Sequence, residues 1–165
     1  MLEFDYTALP SHVVFGAGAA RDGRLIDAAE RLGAHRALLV AGAADQELVG
    51  PIASALSGRI VGRFAEVRQH VPIEVAQAAR TMAAETGADA VISVGGGSTT
   101  GTAKAIALTT GLPILAVPTT YAGSEVTPVW GLTENARKTT GTDQRVLPRV
   151  VVYDPELTVT LPVGL

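Results

Sequence analysis

The chain has 165 residues, 47% of them hydrophobic and 18% charged, with a formal net charge of -3 and no cysteine. Its length suits one domain with a proper core rather than two, and the acidic balance without a basic run argues against nucleic acid as a partner. Disulfides and thiolate metal sites are excluded, and no apolar run approaches the roughly 18 residues needed to span a bilayer.

The start, Met1-Leu2-Glu3-Phe4-Asp5, is acidic and lacks a secretory signal's basic and apolar pattern, so a cytoplasmic location is expected. Residues 2–6 are candidates to pair with another strand, and His12 to Phe15 reads as a short strand. Gly16-Ala17-Gly18 reads as a loop. Ala19 to Leu32 reads as a helix stopped by Gly33, and Arg36 to Ala41 as an apolar strand. Asp45 to Leu56 is the next helix, closed near Gly58, and Arg59 to Phe64 the next strand. Pro72 stands at the start of a helix that runs to about Thr86 and stops at Gly87, since proline fits a first helical position. Ala90 to Val94 is a strand, Thr99 to Thr109 a helix, and Pro113 to Val117 a strand ended by Pro118.

Strands and helices thus alternate from residue 36 to residue 117. The strands are continuous apolar runs, as in a parallel sheet buried on both faces. A doubly wound, mostly parallel Rossmann-like α/β sheet is the economical solution. After Val117 the alternation stops. Pro128 to Thr133 and Arg149 to Tyr153 read as two strands of an added β-ribbon, with Glu134 to Leu147 between them. Asp154 to Thr158 reads as a turn into a short helix.

The most informative stretch is Val91-Ile92-Ser93-Val94-Gly95-Gly96-Gly97-Ser98-Thr99-Thr100. An apolar strand ends in glycines and a helix follows at once. Such a junction presents unpaired N–H groups to an anion at the helix N-terminus, and glycine lets a pyrophosphate come close. Ser98 or Thr99 is positioned to cap the helix. The same residues also suit a plain strand-to-helix turn. Neither the Walker A pattern nor the usual Gly-x-Gly-x-x-Gly spacing is present. Ligands of doubly wound sheets sit at the carboxyl ends of strands, and the loop Pro118-Thr119-Thr120 also follows such an end. Its hydroxyls suit phosphate, ribose or nicotinamide, or an ordinary turn. His12, His35 and His70 match no ligand spacing and read as surface or loop residues.

Two segments carry a family resemblance. One is Gly95-Gly96-Gly97-Ser98 with Ala103-Lys104 beyond it. The other is Pro118-Thr119-Thr120-Tyr121-Ala122-Gly123-Ser124-Glu125-Val126-Thr127-Pro128. With Lys138-Thr139-Thr140 and Asp154-Pro155-Glu156-Leu157-Thr158 they resemble the iron-containing alcohol dehydrogenase family. The Gly-Gly-Gly-Ser-Thr-Thr-Gly and Pro-Thr-Thr-Tyr-Ala-Gly-Ser-Glu stretches are most similar to its maleylacetate reductase branch. Gly101, where the wider family usually has Asp, agrees with that branch.

The resemblance implies one dinucleotide-binding domain over residues 1–165. N-terminal strands lie in 1–15 and the β/α core in 16–117. The cofactor loop, the ribbon and the start of an interdomain connection lie in 118–165. The family's helical C-terminal domain, with most of its metal ligands, lies outside these residues. The implied cofactor is NADH or NADPH, with no metal expected. Gly95, Gly96, Gly97 and Ser98 form the pyrophosphate site. Thr119, Thr120, Thr127 and Lys138 complete the cofactor site, and Tyr121 and Ser124 face the substrate. Lys104 reads as structural and Glu125 as a loop anchor. Ala41-Gly42-Ala43, where the wider family often has Asp, leaves NADH and NADPH undistinguished.

The implied reaction is reduction of maleylacetate to 3-oxoadipate in the degradation of aromatic compounds. No catalytic residue is assigned in this chain, which alone is expected to be inactive. The alternatives are a stand-alone nucleotide-binding module and another alcohol or polyol dehydrogenase of the family. The expected partners are a small-molecule substrate and a second copy of the chain, joined through the N-terminal strands, with no nucleic acid and no membrane.

Overall fold

The computed structural model describes residue 9 and residues 11–43 and 46–162. The expected strand at residues 2–6 and the helix start at Asp45 lie outside the described residues.

A six-stranded sheet runs through the molecule in the order β1-β8-β5-β4-β2-β3, and every pairing in it is parallel. Its strands are β1 (His12–Phe15), β2 (Ala37–Val40), β3 (Ile60–Phe64), β4 (Ala90–Gly95), β5 (Ile114–Pro118) and β8 (Val150–Tyr153). Every residue of β2, β4 and β5 is buried, which explains their unbroken apolar sequences.

Helices α1 (Gly23–Leu32) and α2 (Gln46–Ala55) cover one face. Leu25, Val49 and Ile52 pack there with Leu39, Ile92, Val94 and Leu115. On the opposite face, α3 (Ile73–Glu85) and α4 (Gly97–Thr110) bury Val75, Ala79, Ala103 and Ile106 against Leu38, Val91 and Ile114. Alternate strand residues thus serve two cores, as the period of a strand requires. From β2 the chain moves outward to β3, and from β4 it moves the other way to β5 and β8. The switch point lies between β2 and β4, where open sheets of this type leave a crevice at the strand ends.

Three sequence expectations change in detail. The first helix begins at Gly23 rather than Ala19, because Asp22 caps it through the Arg24 N–H. The N–H groups of Gly18 and Ala20 instead donate to the buried Asp154 carboxylate, at 3.0 and 3.3 Å. Helix α4 begins at Gly97, with Gly96 as its N-cap and no side-chain cap bond, so Ser98 and Thr99 lie inside the first turn.

The ribbon also differs. Its strands are β6 (Val129–Glu134) and β7 (Arg137–Thr142), which pair antiparallel. Arg149 to Tyr153 is not in it. That wholly apolar run enters the main sheet as β8, between β1 and β5. The ribbon closes through Asn135 and Ala136, whose φ values of 48° and 61° match a two-residue hairpin turn. Alanine is an uncommon residue for that conformation, so the turn carried little signal in the sequence.

Candidate functional site

At the carboxyl ends of the strands, Gly95 pairs with Pro118, which brings the glycine loop and the threonine loop side by side. Thr119 donates its N–H to the Gly95 carbonyl at 3.1 Å. Gly95 has φ of +150°, and a Cβ there would lie 2.5 Å from Thr99 Oγ1. A Cβ on Gly96 would lie 3.1 Å from Thr120 Cγ2, and one on Gly97 would lie 3.1 Å from Ala122 Cβ. The glycines therefore first let the two loops touch. The gain for a ligand is at the helix end. Among the described residues the N–H groups of Gly97 and Ser98 find no acceptor, and both residues border a cleft.

That cleft has a volume of about 570 Å³. Its floor is the first half of α4, with Gly97, Ser98, Gly101 and Lys104. One wall is the turn after β5, carrying Ala122, Gly123, Ser124 and Thr127. The ribbon adds Val129, Trp130, Gly131, Lys138 and Thr140. Gln69, His70 and Val71 complete the lining.

The cleft gathers Gly97, Ser98, Ser124, Thr127 and Lys138 of the residues singled out in the sequence. Gly95, Gly96 and Thr119 stand behind it as supports. Thr120 and Tyr121 line a second, smaller hollow with Phe15, Tyr153 and Thr158. There the Tyr121 hydroxyl lies 3.1 Å from Thr158 Oγ1.

Lys104, read from the sequence as structural, finds specific partners at the cleft, and three further features, at Gly131, Trp130 and Val71, have no counterpart in the sequence reading. Lys104 lies buried within an apolar run of α4 and hydrogen-bonds to Thr127 and to the carbonyl of Val129. The isolated lysine in Thr102-Ala-Lys-Ala-Ile was the available signal. Gly131 leaves a slot for the Lys138 stem, whose Cε would lie 3.0 Å from a Cβ at position 131. Trp130 lies across Gly141, where a Cβ would come within 2.6 Å of its ring. Val71 is buried at φ 49°, a conformation that strains a β-branched residue. Thr133 restrains this loop. Its N–H donates to the Val71 carbonyl at 3.0 Å, and its hydroxyl donates to the His70 carbonyl at 2.8 Å. A Cβ at Gly101 would lie 2.8 Å from Val71 Cγ2, so glycine there makes room for Val71.

Behind the wall, Tyr153 donates its hydroxyl to the buried Glu125 carboxylate at 2.8 Å. Burial, then that carboxylate, pushes the Tyr153 pKa well above its ordinary value. Glu125 thus anchors the turn Ser124–Val126 from below.

A doubly wound parallel sheet with a glycine-started helix at its strand ends defines an α/β domain of the Rossmann-like class. A family model described as iron-containing alcohol dehydrogenase matches residues 10–155, and the chain belongs to that family. It is 50% identical over 163 residues to a maleylacetate reductase of Burkholderia cepacia, covering 99% of this chain and 46% of that relative. The chain therefore spans about half the length of the curated relatives it matches.

The crystal structure of maleylacetate reductase from Agrobacterium tumefaciens superposes with a TM-score of 0.90 at 45% identity, over 98% of this chain and 46% of that one. A sulfoacetaldehyde reductase from Bifidobacterium kashiwanohense, solved with NAD+, gives 0.86 at 29% identity, over 98% and 49%. Among the described residues no group of three or more His, Asp or Glu side chains is placed to hold a metal ion. No helix among them is long and apolar enough to cross a membrane.

Proposed function

We propose that this chain is the cofactor-binding domain of an NAD(P)H-dependent oxidoreductase that reduces maleylacetate to 3-oxoadipate in the degradation of aromatic compounds, working in the cytoplasm. The observation that carries the reading is the pair of acceptor-free amides at Gly97 and Ser98, opening on a cleft that Lys138 also borders. Amides at a helix N-terminus and a cation across the gap suit a pyrophosphate. The NAD+ in the sulfoacetaldehyde reductase supports the choice of dinucleotide, and the Burkholderia cepacia relative supports the choice of substrate.

The nicotinamide, when bound, supplies hydride. The residues of this chain bind and orient. Gly97 and Ser98 hold the phosphates, and Thr127 and Lys138 meet the ribose side. Trp130 and Val71 give the cleft its apolar lining. None of these groups is assigned as a proton donor to the substrate. The chain alone is thus expected not to oxidise NADH in the presence of maleylacetate, and ordinary turnover of about 10 per second would refute that. The outer edge of β1 has no partner among the described residues, and Val13 and Phe15 on it are 50% and 73% exposed. This supports a homodimer through residues 1–15. Sedimentation as a monomer at micromolar concentration would remove that part.

The binding site is tested by Ser98→Asp. A carboxylate in the first turn of α4 favours the helix dipole but repels phosphate. Calorimetric titration should find NADH binding lost while thermal stability is kept. Unchanged affinity would place the phosphates elsewhere.

A further inference from the structure

Lys104, in the middle of α4, is 1% exposed although it borders the cleft. Lysine is almost never so buried without partners. Its Nζ donates to the Thr127 carbonyl at 2.7 Å, to Thr127 Oγ1 at 3.1 Å and to the Val129 carbonyl at 2.8 Å. The three donors of an ammonium meet three neutral acceptors. All three lie where the turn Ser124–Val126 passes into β6, the segment that brings Ser124, Thr127 and Trp130 to the cleft. Among the described residues no other side chain of α4 hydrogen-bonds to that wall.

We infer that Lys104 is a positioning residue whose ammonium holds the Ser124–Trp130 wall in place over the N-terminal end of α4. What the wall receives rests on the dinucleotide reading above; how it is held does not. Burial pushes the Lys104 pKa down to about 8, against the opposing pull of Glu125. Above that value a neutral amine brings two N–H groups to three acceptors and turns a lone pair toward the third, so the wall loosens.

Among the other charged groups on the elements around α4, Glu134 is exposed at the far end of β6, opposite Arg137 of β7. Glu125 accepts from Tyr153, whose pKa is raised. Lys138 and His70 border the same cleft. Helix α3 carries Glu74, Arg80 and Glu85, with Arg80 donating to the Ala105 carbonyl. Beside the turn Gln144–Val146, Asp143 is held down to about 2 by Arg145. Strands β4 and β5 carry no ionisable side chain.

Trp130 is the only tryptophan in the chain and follows Val129 directly, so its fluorescence reports on the wall. A titration from about pH 7 to about pH 9.5 lies above the ordinary histidine range and below that of tyrosine. The wild-type chain should show a transition with its midpoint near 8, and Lys104→Met should show none. NADH affinity should fall about tenfold across the same transition in the wild type, and in Lys104→Met it should be about tenfold weaker and flat with pH.

A wild-type chain without the transition, or a transition that survives in Lys104→Met, overturns the inference. Should Lys104→Met not fold, Thr127→Val serves in its place. It removes one acceptor and should lower the midpoint, and an unmoved midpoint overturns the inference equally. A transition present in the wild type without NADH binding at any pH supports the role of Lys104 and refutes the dinucleotide reading alone.

Discussion

On the α4 side of the cleft, the groups open to a ligand are backbone amides, those of Gly97 and Ser98. On the ribbon side they are side chains of Trp130, Lys138 and Thr140. The first set is fixed by local geometry, a strand running straight into a helix through glycines. The second is fixed by contacts between distant segments: Lys104 to Thr127, Thr133 to Val71, and Gly131 to Lys138. Damage to the glycine turn that builds the first side should therefore reach the fold. Damage to the second should remain in the binding.

The largest expected effect tests the first side. Gly95→Ala places a Cβ against Thr99 at a φ that side chains avoid. It should destabilise the domain by about 2–4 kcal/mol and abolish NADH binding. Urea unfolding measures this, and wild-type stability would show that the loop yields easily.

A smaller effect tests the second side. Lys138→Ala should weaken NADH binding about fivefold with the fold unchanged. Gly131→Val, which fills the slot of the lysine stem, should weaken it similarly. The double variant should be little worse than either, because both remove one interaction. Fully additive losses in calorimetry would show that Gly131 does not place Lys138.

The smallest effect is a control away from the cleft. Asp22→Ala removes the α1 cap and should lower the thermal midpoint by a few degrees at most, without changing NADH affinity. Arg24 holds the Asp22 pKa below its ordinary value of 3.8. The cap's contribution is therefore full above that pH and lost as pH falls through the lower, folded-state value. Thermal melts of both proteins along an acid series should converge, and a constant gap would contradict the cap's charge.

The same division explains what could be read from the sequence. Strands β2, β4 and β5 are legible because burial on both faces leaves uninterrupted apolar runs. The place of α4 is legible because glycines mark its start, although the particular cap is not. The second ribbon strand was misplaced for two physical reasons. The Asn135-Ala136 turn lacks glycine, and Val150-Val151-Val152 suits a ribbon or a central strand equally until its neighbours are known. Tyr121 follows the same loop as Ser124, yet the bend at Gly123, with φ of 70°, precedes a turn away from it. Its ring lies 82% exposed, outside the cleft. Lys104 reads as structural from the sequence, but its partners Thr127 and Val129, like the role of Val71, depend on residues far along the chain.

If one dinucleotide engages both sides of the cleft, both should respond to it together. The most direct test is a titration of the isotope-labelled chain with NADH, followed by amide and indole nuclear magnetic resonance. The Gly97 and Ser98 amides and the Trp130 indole N–H should shift together, with a single dissociation constant. Shifts confined to Thr120, Tyr121 and Tyr153 in the smaller hollow, or none at saturating NADH, would contradict it.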